Sequence, residues 1–281
     1  MACFFTCFDW LTTHLNPLYI DRPPNPFRLS LEQQPELLDL SLNCVSVMTS
    51  HNSYIRTFQH GTCATTDGLR QALLCGARCL ELDVYREANQ PTTLFVAHGQ
   101  EGTPHDLITT TKLPLRSAFE FIAQHAFEHT SDPLFLALEL NMHDDPAACG
   151  ALADELERCF ANRLYRGTVT PDTPLRELVG RVVLMAGGGA GSCDRLNGLL
   201  HVRWGALFAN RSSEEAVQAR YEGCPRIYPA GDVRGAFSLN FDPRPYLDAG
   251  ATFVAMNLCT NDAGMQAYAA RFAHSSFIRK S

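Results

Sequence analysis

The stretch Cys79-Leu80-Glu81-Leu82-Asp83-Val84-Tyr85 alternates two acids with branched apolar residues. Strand side chains alternate between faces, so Glu81 and Asp83 point one way while Leu80, Leu82 and Val84 point the other. A core strand does not carry two acids on one face without a reason. Two carboxylates about 4 Å apart repel by roughly 4 kcal/mol at an effective dielectric near 20. Three further segments end β-like runs with polar groups: Ser50-His51-Asn52, His98-Gly99 and Glu139. The third acid, Glu139, raises the repulsion further, and a divalent cation removes it.

Around that stretch, strands are expected at Val45 to Thr49, Leu94 to Ala97, Leu134 to Glu139, Val182 to Met185 and Phe253 to Leu258. Weaker strand signals lie at Val202 to Phe208, Arg226 to Tyr228 and Ala236 to Leu239. Leu115 to Phe127 and Ala147 to Leu164 carry apolar residues at helical spacing, the second after the capping run Asp144-Asp145-Pro146. The repeated βα order predicts an α/β fold with a parallel sheet. About eight strands in 281 residues favour a single (β/α)8 TIM-like barrel, with room for distortion or incompleteness in its second half. The expected organisation is an N-terminal extension (1–43), a half barrel (44–186), a short linker (187–201) and a second half barrel (202–281). The run Gly187-Gly188-Gly189-Ala190-Gly191-Ser192 lacks the pattern of a phosphate-binding loop and reads as the connection between the halves.

Composition narrows the partners. A net charge of -7 argues against nucleic acid and against purely electrostatic docking to a membrane. The eleven scattered cysteines include no paired zinc spacing, which suits a reducing, cytoplasmic setting. The N-terminal MACFFTCFDW has neither a basic leader nor a sustained apolar run, so neither a signal peptide nor a transmembrane segment is expected. Cys3 and Cys7, beside Phe4, Phe5, Phe8 and Trp10, are candidates for acylation or lipid contact, although packing on the domain is the simpler expectation.

In a barrel of this kind the site forms at the C-terminal ends of the strands, where these acids and imidazoles fall. His51 and Asn52 are adjacent, so both face one site only if the chain already turns over Ser50 to Ser53. Asn52, Glu81, Asp83 and Glu139 then offer a carbonyl and three carboxylates, a hard, all-oxygen set for which Ca2+ is the natural occupant. A single histidine at a strand end is usually a structural hydrogen bonder. The coincidence of His51, Asn52, Glu81, Asp83, His98 and Glu139 at successive strand ends sets these apart from His14, His60, His105, His125, His129, His143, His201 and His274.

Ser50-His51-Asn52-Ser53-Tyr54, Gly76 to Asp83, Ala97-His98-Gly99 and Leu136 to Glu139 resemble the X region of the eukaryotic phosphoinositide-specific phospholipases C. Arg226 to Gly231, Ser238 to Pro243 and Val254 to Asn257 resemble the Y region, in the same order. The resemblance covers roughly Val45 to Phe272, without the lipid-binding PH, EF-hand or C2 modules that flank the barrel in animal enzymes. It implies a calcium-dependent phosphoric diester hydrolase that cleaves an inositol phospholipid to diacylglycerol and inositol phosphate through a cyclic phosphate. Asn52, Glu81, Asp83 and Glu139 would hold the metal, with Glu81 or Glu139 as general base. His51 would stabilise the phosphorane, and His98 would act as general acid and then as base. Arg226 and Tyr228 would bind a ring phosphate and stack on the inositol.

The two lysines of bisphosphate-selective members align with Met185 and Gly187, so a preference for less phosphorylated headgroups is expected; Arg203 and Arg211 are the cations that could replace them. The short, nearly uncharged linker offers no long acidic insert for covering the site. The lipid would be met by transient membrane association. Two other readings share the barrel. A glycerophosphodiester phosphodiesterase would not need Arg226-Ile227-Tyr228, and a catalytically dead phosphoinositide-binding barrel would be expected to lack a histidine or an acid that is present here.

Overall fold

The computed structural model describes residues 28–56, 62–100, 103–107, 109–142, 144–186, 193–201, 206–208, 224–229 and 239–280. The expectations for the N-terminal extension up to residue 27, including Cys3 and Cys7, fall outside these residues. So do those for the glycine run 187–192, for Arg203 and Arg211, and for most of the strand expected at Ala236 to Leu239. Leu239 itself is not in a strand.

The first strands are β1 (Val45–Ser50), β2 (Cys79–Glu87) and β3 (Gln90–Val96). A small ribbon, β4 (Gly99–Gln100) with β5 (Thr103–Leu107), and the short β6 (Leu113–Pro114) follow. The rest are β7 (Leu134–Asn141), β8 (Val182–Ala186), β9 (Ala206–Phe208), β10 (Arg226–Tyr228), β11 (Phe253–Met256) and β12 (Phe277–Arg279). Parallel ladders join them in the order β8-β7-β2-β1-β11-β10-β9. This is the circular order of a barrel with one seam, between β8 and β9, where no ladder closes the sheet among the described residues. The seam coincides with the junction of the two halves.

One expected element runs the wrong way for a simple βα repeat. The strand expected at Leu94 to Ala97 is β3, which returns antiparallel against the upper part of β2 with Val84 opposite Val96. The lower part of β2 pairs with β1, Thr49 opposite Cys79 and Ser50 opposite Leu80. β3 thus takes over the edge of β2 that β1 vacates when its chain turns away after Ser50. Alternation of apolar and polar residues fixes which face is buried and carries no information on strand direction.

The registers build the barrel interior in layers. Val47, Cys79, Phe135, Val183 and Phe253 form an apolar floor, with Ala137 and Met185 above it, all buried. The same face becomes acidic at Glu81 and, one step higher, at Asp83, which lies opposite Glu139. The other face, with Leu80, Leu82, Val84, Leu136, Leu138 and Leu184, packs under the surrounding helices. Two of these helices are Leu115–His125 and Pro146–Phe160, the latter ending four residues short of the expected Leu164. Asp145 starts the second helix as a cap, its Oδ1 accepting from the amides of Ala147 and Ala148 at 2.9 and 3.2 Å. No helix among the described residues is long and apolar enough to cross a membrane.

Candidate active site

β1 hands over to the site through a tight turn. His51 N still bonds Met256 O of β11 at 2.9 Å, and the next residue, Asn52, takes a left-handed backbone with φ of 43°. Asparagine tolerates that region better than most residues. The expected turn over Ser50 to Ser53 is therefore present. It is sewn to β2: Asn52 N donates to Glu81 Oε2 at 2.6 Å, Ser53 N to Glu81 O at 3.0 Å, and Glu81 N to Ser53 Oγ at 3.0 Å.

Glu81, Asp83 and Glu139 each direct an oxygen to one point, the atoms lying within 4.8 Å of one another. Oxygens no farther apart than that are close enough to share one ion at the approach distance of calcium, about 2.4 Å. Glu81 and Asp83 are buried and Glu139 is exposed. Burial pushes the Glu81 carboxyl well above the usual carboxylate range, and the neighbouring Asp83 and Glu139 push it further. Burial also works against the Asp83 carboxylate, but hydrogen bonds from His98, Glu81 and Tyr54 outweigh it and hold Asp83 below its ordinary value. The donor set fits a hard divalent cation: three acids converge where repulsion is otherwise relieved only by holding a proton.

Tyr54 is the member that the sequence reading did not assign. Its fully buried hydroxyl lies 2.9 Å from Asn52 Oδ1, 2.9 Å from Asp83 Oδ2 and 3.1 Å from Ala97 O. It joins two candidate metal ligands to the return of β3. Its only advance signal was its place in the same turn as His51 and Asn52.

The β2–β3 hairpin explains how His98 reaches the acids. β3 descends along β2, Ala97 N meets Asp83 O at 3.3 Å, and His98 Nδ1 then lies 3.4 Å from Asp83 Oδ2 and 3.3 Å from Asn52 Nδ2. Gly99 continues the chain against Tyr85, where a Cβ would sit 2.4 Å from the tyrosine hydroxyl. Only glycine permits that approach without displacing Tyr85.

The second half of the chain supplies the opposite wall. His51 Nδ1 lies 2.8 Å from Asn257 Oδ1, just beyond β11, and the His51 ring meets Tyr228 edge-on at 5.8 Å between centroids. Burial lowers the His51 imidazole to about 4, although the Asn257 bond and Asp83 favour its charged form. Arg226 is buried on the interior face of β10, its guanidinium carbon 5.8 Å from the Tyr228 ring centre. The eight residues singled out from the sequence thus line one continuous interior region. Met185 lies on the same interior face, opposite Ala137, which is itself opposite Glu81; it has no exposure and belongs to the apolar cluster.

A family model described as phosphatidylinositol-specific phospholipase C, X domain, matches residues 38–186, and the corresponding Y-domain model matches residues 201–280. The chain is 27% identical over 188 residues, 64% of its length, to 1-phosphatidylinositol 4,5-bisphosphate phosphodiesterase 1 of Saccharomyces cerevisiae. It is 30% identical over 182 residues, 61% of its length, to the delta-3-A phosphodiesterase of that name from Danio rerio. The matched parts make up 20% of each of those proteins. Among solved structures, PLC21 of L. pealei superposes with a TM-score of 0.73 at 20% identity, covering 87% of this chain and 38% of the other. A calcium-dependent phosphoinositol-specific phospholipase C from Pseudomonas sp. gives a TM-score of 0.52 at 14% identity, covering 92% of this chain and all of the other.

Proposed function

Since the chain belongs to the phosphatidylinositol-specific phospholipase C family and carries both its X and Y regions, we propose that it hydrolyses the phosphodiester of inositol phospholipids to diacylglycerol and inositol phosphate. The observation that carries this reading is the convergence of Glu81, Asp83 and Glu139 beside His98 and His51. A binding-only barrel would have no need to hold three mutually repelling acids between two imidazoles.

Asn52, Glu81, Asp83 and Glu139 would hold Ca2+, which supplies positive charge to the phosphate and acidity to the inositol 2-hydroxyl. The nucleophile belongs to the substrate, so the first step is an intramolecular attack with a large proximity advantage. Glu81 or Glu139 takes the hydroxyl proton. His51 faces the phosphate with Nε2, because Nδ1 is engaged by Asn257. His98, whose Nδ1 lies 3.4 Å from the Asp83 Oδ2 that can accept its proton, gives a proton to the departing glycerol oxygen and later takes one from the water that opens the cyclic phosphate. Arg226 and Tyr228 form the wall on which the headgroup rests.

The headgroup preference proposed is for phosphatidylinositol or its monophosphate. It rests on Met185, an apolar side chain with no exposure where bisphosphate-selective members are expected to carry a lysine. The enzyme would meet its lipid at a membrane surface by transient contact, in the cytoplasm.

Release of water-soluble inositol phosphate from mixed micelles of phosphatidylinositol or its bisphosphate, with calcium or chelator, tests the reading. Calcium-dependent release that falls more than about 100-fold in His98→Ala is expected. Vesicle binding without release from either lipid would overturn catalysis, and a strong bisphosphate preference would overturn the headgroup assignment alone.

A further inference from the structure

His51 is held from the second half of the chain by a series of amides that begins behind Asn257. Asn257 is fully buried, and its Oδ1 faces His51 Nδ1 at 2.8 Å. A carbonyl oxygen only accepts, so the ring nitrogen it faces must donate. The backbone of Asn257 is clasped on both sides by Asn240: Asn257 N donates to Asn240 Oδ1 at 2.7 Å, and Asn240 Nδ2 donates to Asn257 O at 3.2 Å. Asn240 is fixed in turn by Asp262, whose Oδ2 accepts from Asn240 N at 2.6 Å. The other oxygen of Asp262 caps the helix Ala263–Arg271 through Met265 N at 2.8 Å. A rigid helix end thus sets Asn240, Asn240 sets Asn257, and Asn257 sets the imidazole.

We infer that Asn257 is a positioning residue that keeps the proton of His51 on Nδ1 in every state of the ring, with Asn240 as its brace. This deepens the proposed phosphodiester cleavage and rests on that reading. The consequence is specific: Nε2 presents a lone pair when the ring is neutral and donates to the phosphate only as imidazolium. His51 is thereby excluded from acting as a neutral donor at Nε2. A carboxylate at position 257 would also accept from Nδ1, whereas an apolar residue of similar size would leave both nitrogens free to exchange the proton.

Nitrogen NMR of the full chain with labelled histidine reads the tautomer directly, and His51→Gln assigns the signal. The neutral His51 ring is expected as the Nδ1–H form in the wild type and in Asn257→Asp, and as a mixture in Asn257→Leu. In the micelle assay Asn257→Leu is expected to lose about 100-fold in kcat with KM within about twofold, Asn257→Asp to restore at least a tenth of the wild-type rate, and Asn240→Ala to fall between. A neutral Nε2–H ring in the wild type overturns the inference whether or not any variant folds. So does an unchanged tautomer in a folded Asn257→Leu. Wild-type protein that cleaves no lipid would defeat the functional reading and leave the tautomer result to decide this one.

Discussion

Asp83 and Glu139 are direct partners in the parallel register of β2 and β7, and both belong to the face that lines the barrel interior. Directly opposed like charges destabilise a sheet, and Glu81, one step below Asp83, makes the pair a triad. A cation bound there converts a repulsive cluster into a crosslink between neighbouring strands.

Calcium is therefore expected to stabilise the fold independently of any lipid. At a hundredfold excess over its dissociation constant a ligand contributes about 2.7 kcal/mol, which for a chain of this size moves Tm by roughly 5 °C or more. Thermal melts in chelator and in calcium measure this. Glu81→Gln, at the acid whose charge burial and its two neighbours disfavour, should relieve repulsion, leaving the chelator melt no lower than that of the wild type, while cutting the calcium shift to less than half. An equal calcium shift in wild type and variant would place the cation elsewhere.

The Tyr54 hydroxyl has one proton and three acceptors around it: Asn52 Oδ1, Asp83 Oδ2 and Ala97 O. It sets the positions of two candidate ligands without being one itself. Tyr54→Phe is expected to weaken calcium binding about tenfold, the worth of a hydrogen bond to a charged group. Terbium luminescence or calorimetry would register this without substrate, and an unchanged affinity would reduce Tyr54 to a packing residue.

The barrel and the acids could be read from the sequence because both depend on local alternation. Glu81 and Asp83 in a run of branched residues specify a strand with one polar face wherever that strand lies. Strand direction could not be read, and this is why His98 was expected at the end of another parallel strand. It arrives instead on a hairpin that descends along β2 to the level of Asp83. Asn257 was visible only as part of a motif. Its role depends on β11 lying beside β1, with Met256 opposite Ser50, a contact between residues more than two hundred positions apart. Tyr54 was hidden for a different reason: a buried tyrosine next to a turn looks the same in sequence whether its hydroxyl meets water or a carboxylate.

Two glycines on the helical layer test how closely that layer is fitted to the site. A Cβ at Gly68 would lie 2.4 Å from the carbonyl carbon of Tyr54 and 2.7 Å from the amide nitrogen of Ile55, both backbone atoms. A Cβ at Gly150, within Pro146–Phe160, meets nothing within 4 Å. Gly68→Ala is expected to cost about 1–3 kcal/mol and, by displacing the Tyr54 backbone, to weaken calcium binding as well. Gly150→Ala should instead add up to about 1 kcal/mol through helix propensity alone, with calcium affinity unchanged. Denaturant melts paired with calcium titrations separate the two, and similar effects from both would contradict the contact at Tyr54.

His201 stands where the second family match begins and ties that half to the first. Its Nδ1 accepts from Leu184 N at 2.9 Å, and its Nε2 lies 2.7 Å from Tyr165 O, an arrangement that only the neutral ring satisfies at both nitrogens. Burial holds its folded pKa below the ordinary 6.5, although the Tyr165 carbonyl favours the charged form. As pH falls through 6.5, the unfolded chain therefore binds a proton that the folded chain does not. The contribution to stability is complete above that value and is lost as pH drops towards the folded pKa. His201→Gln keeps an acceptor for Leu184 and a donor for Tyr165 but does not titrate. Unfolding free energies measured between pH 7.5 and 5.5 should fall more steeply for the wild type than for His201→Gln, and parallel curves would show that the imidazole takes up its proton without disturbing the junction.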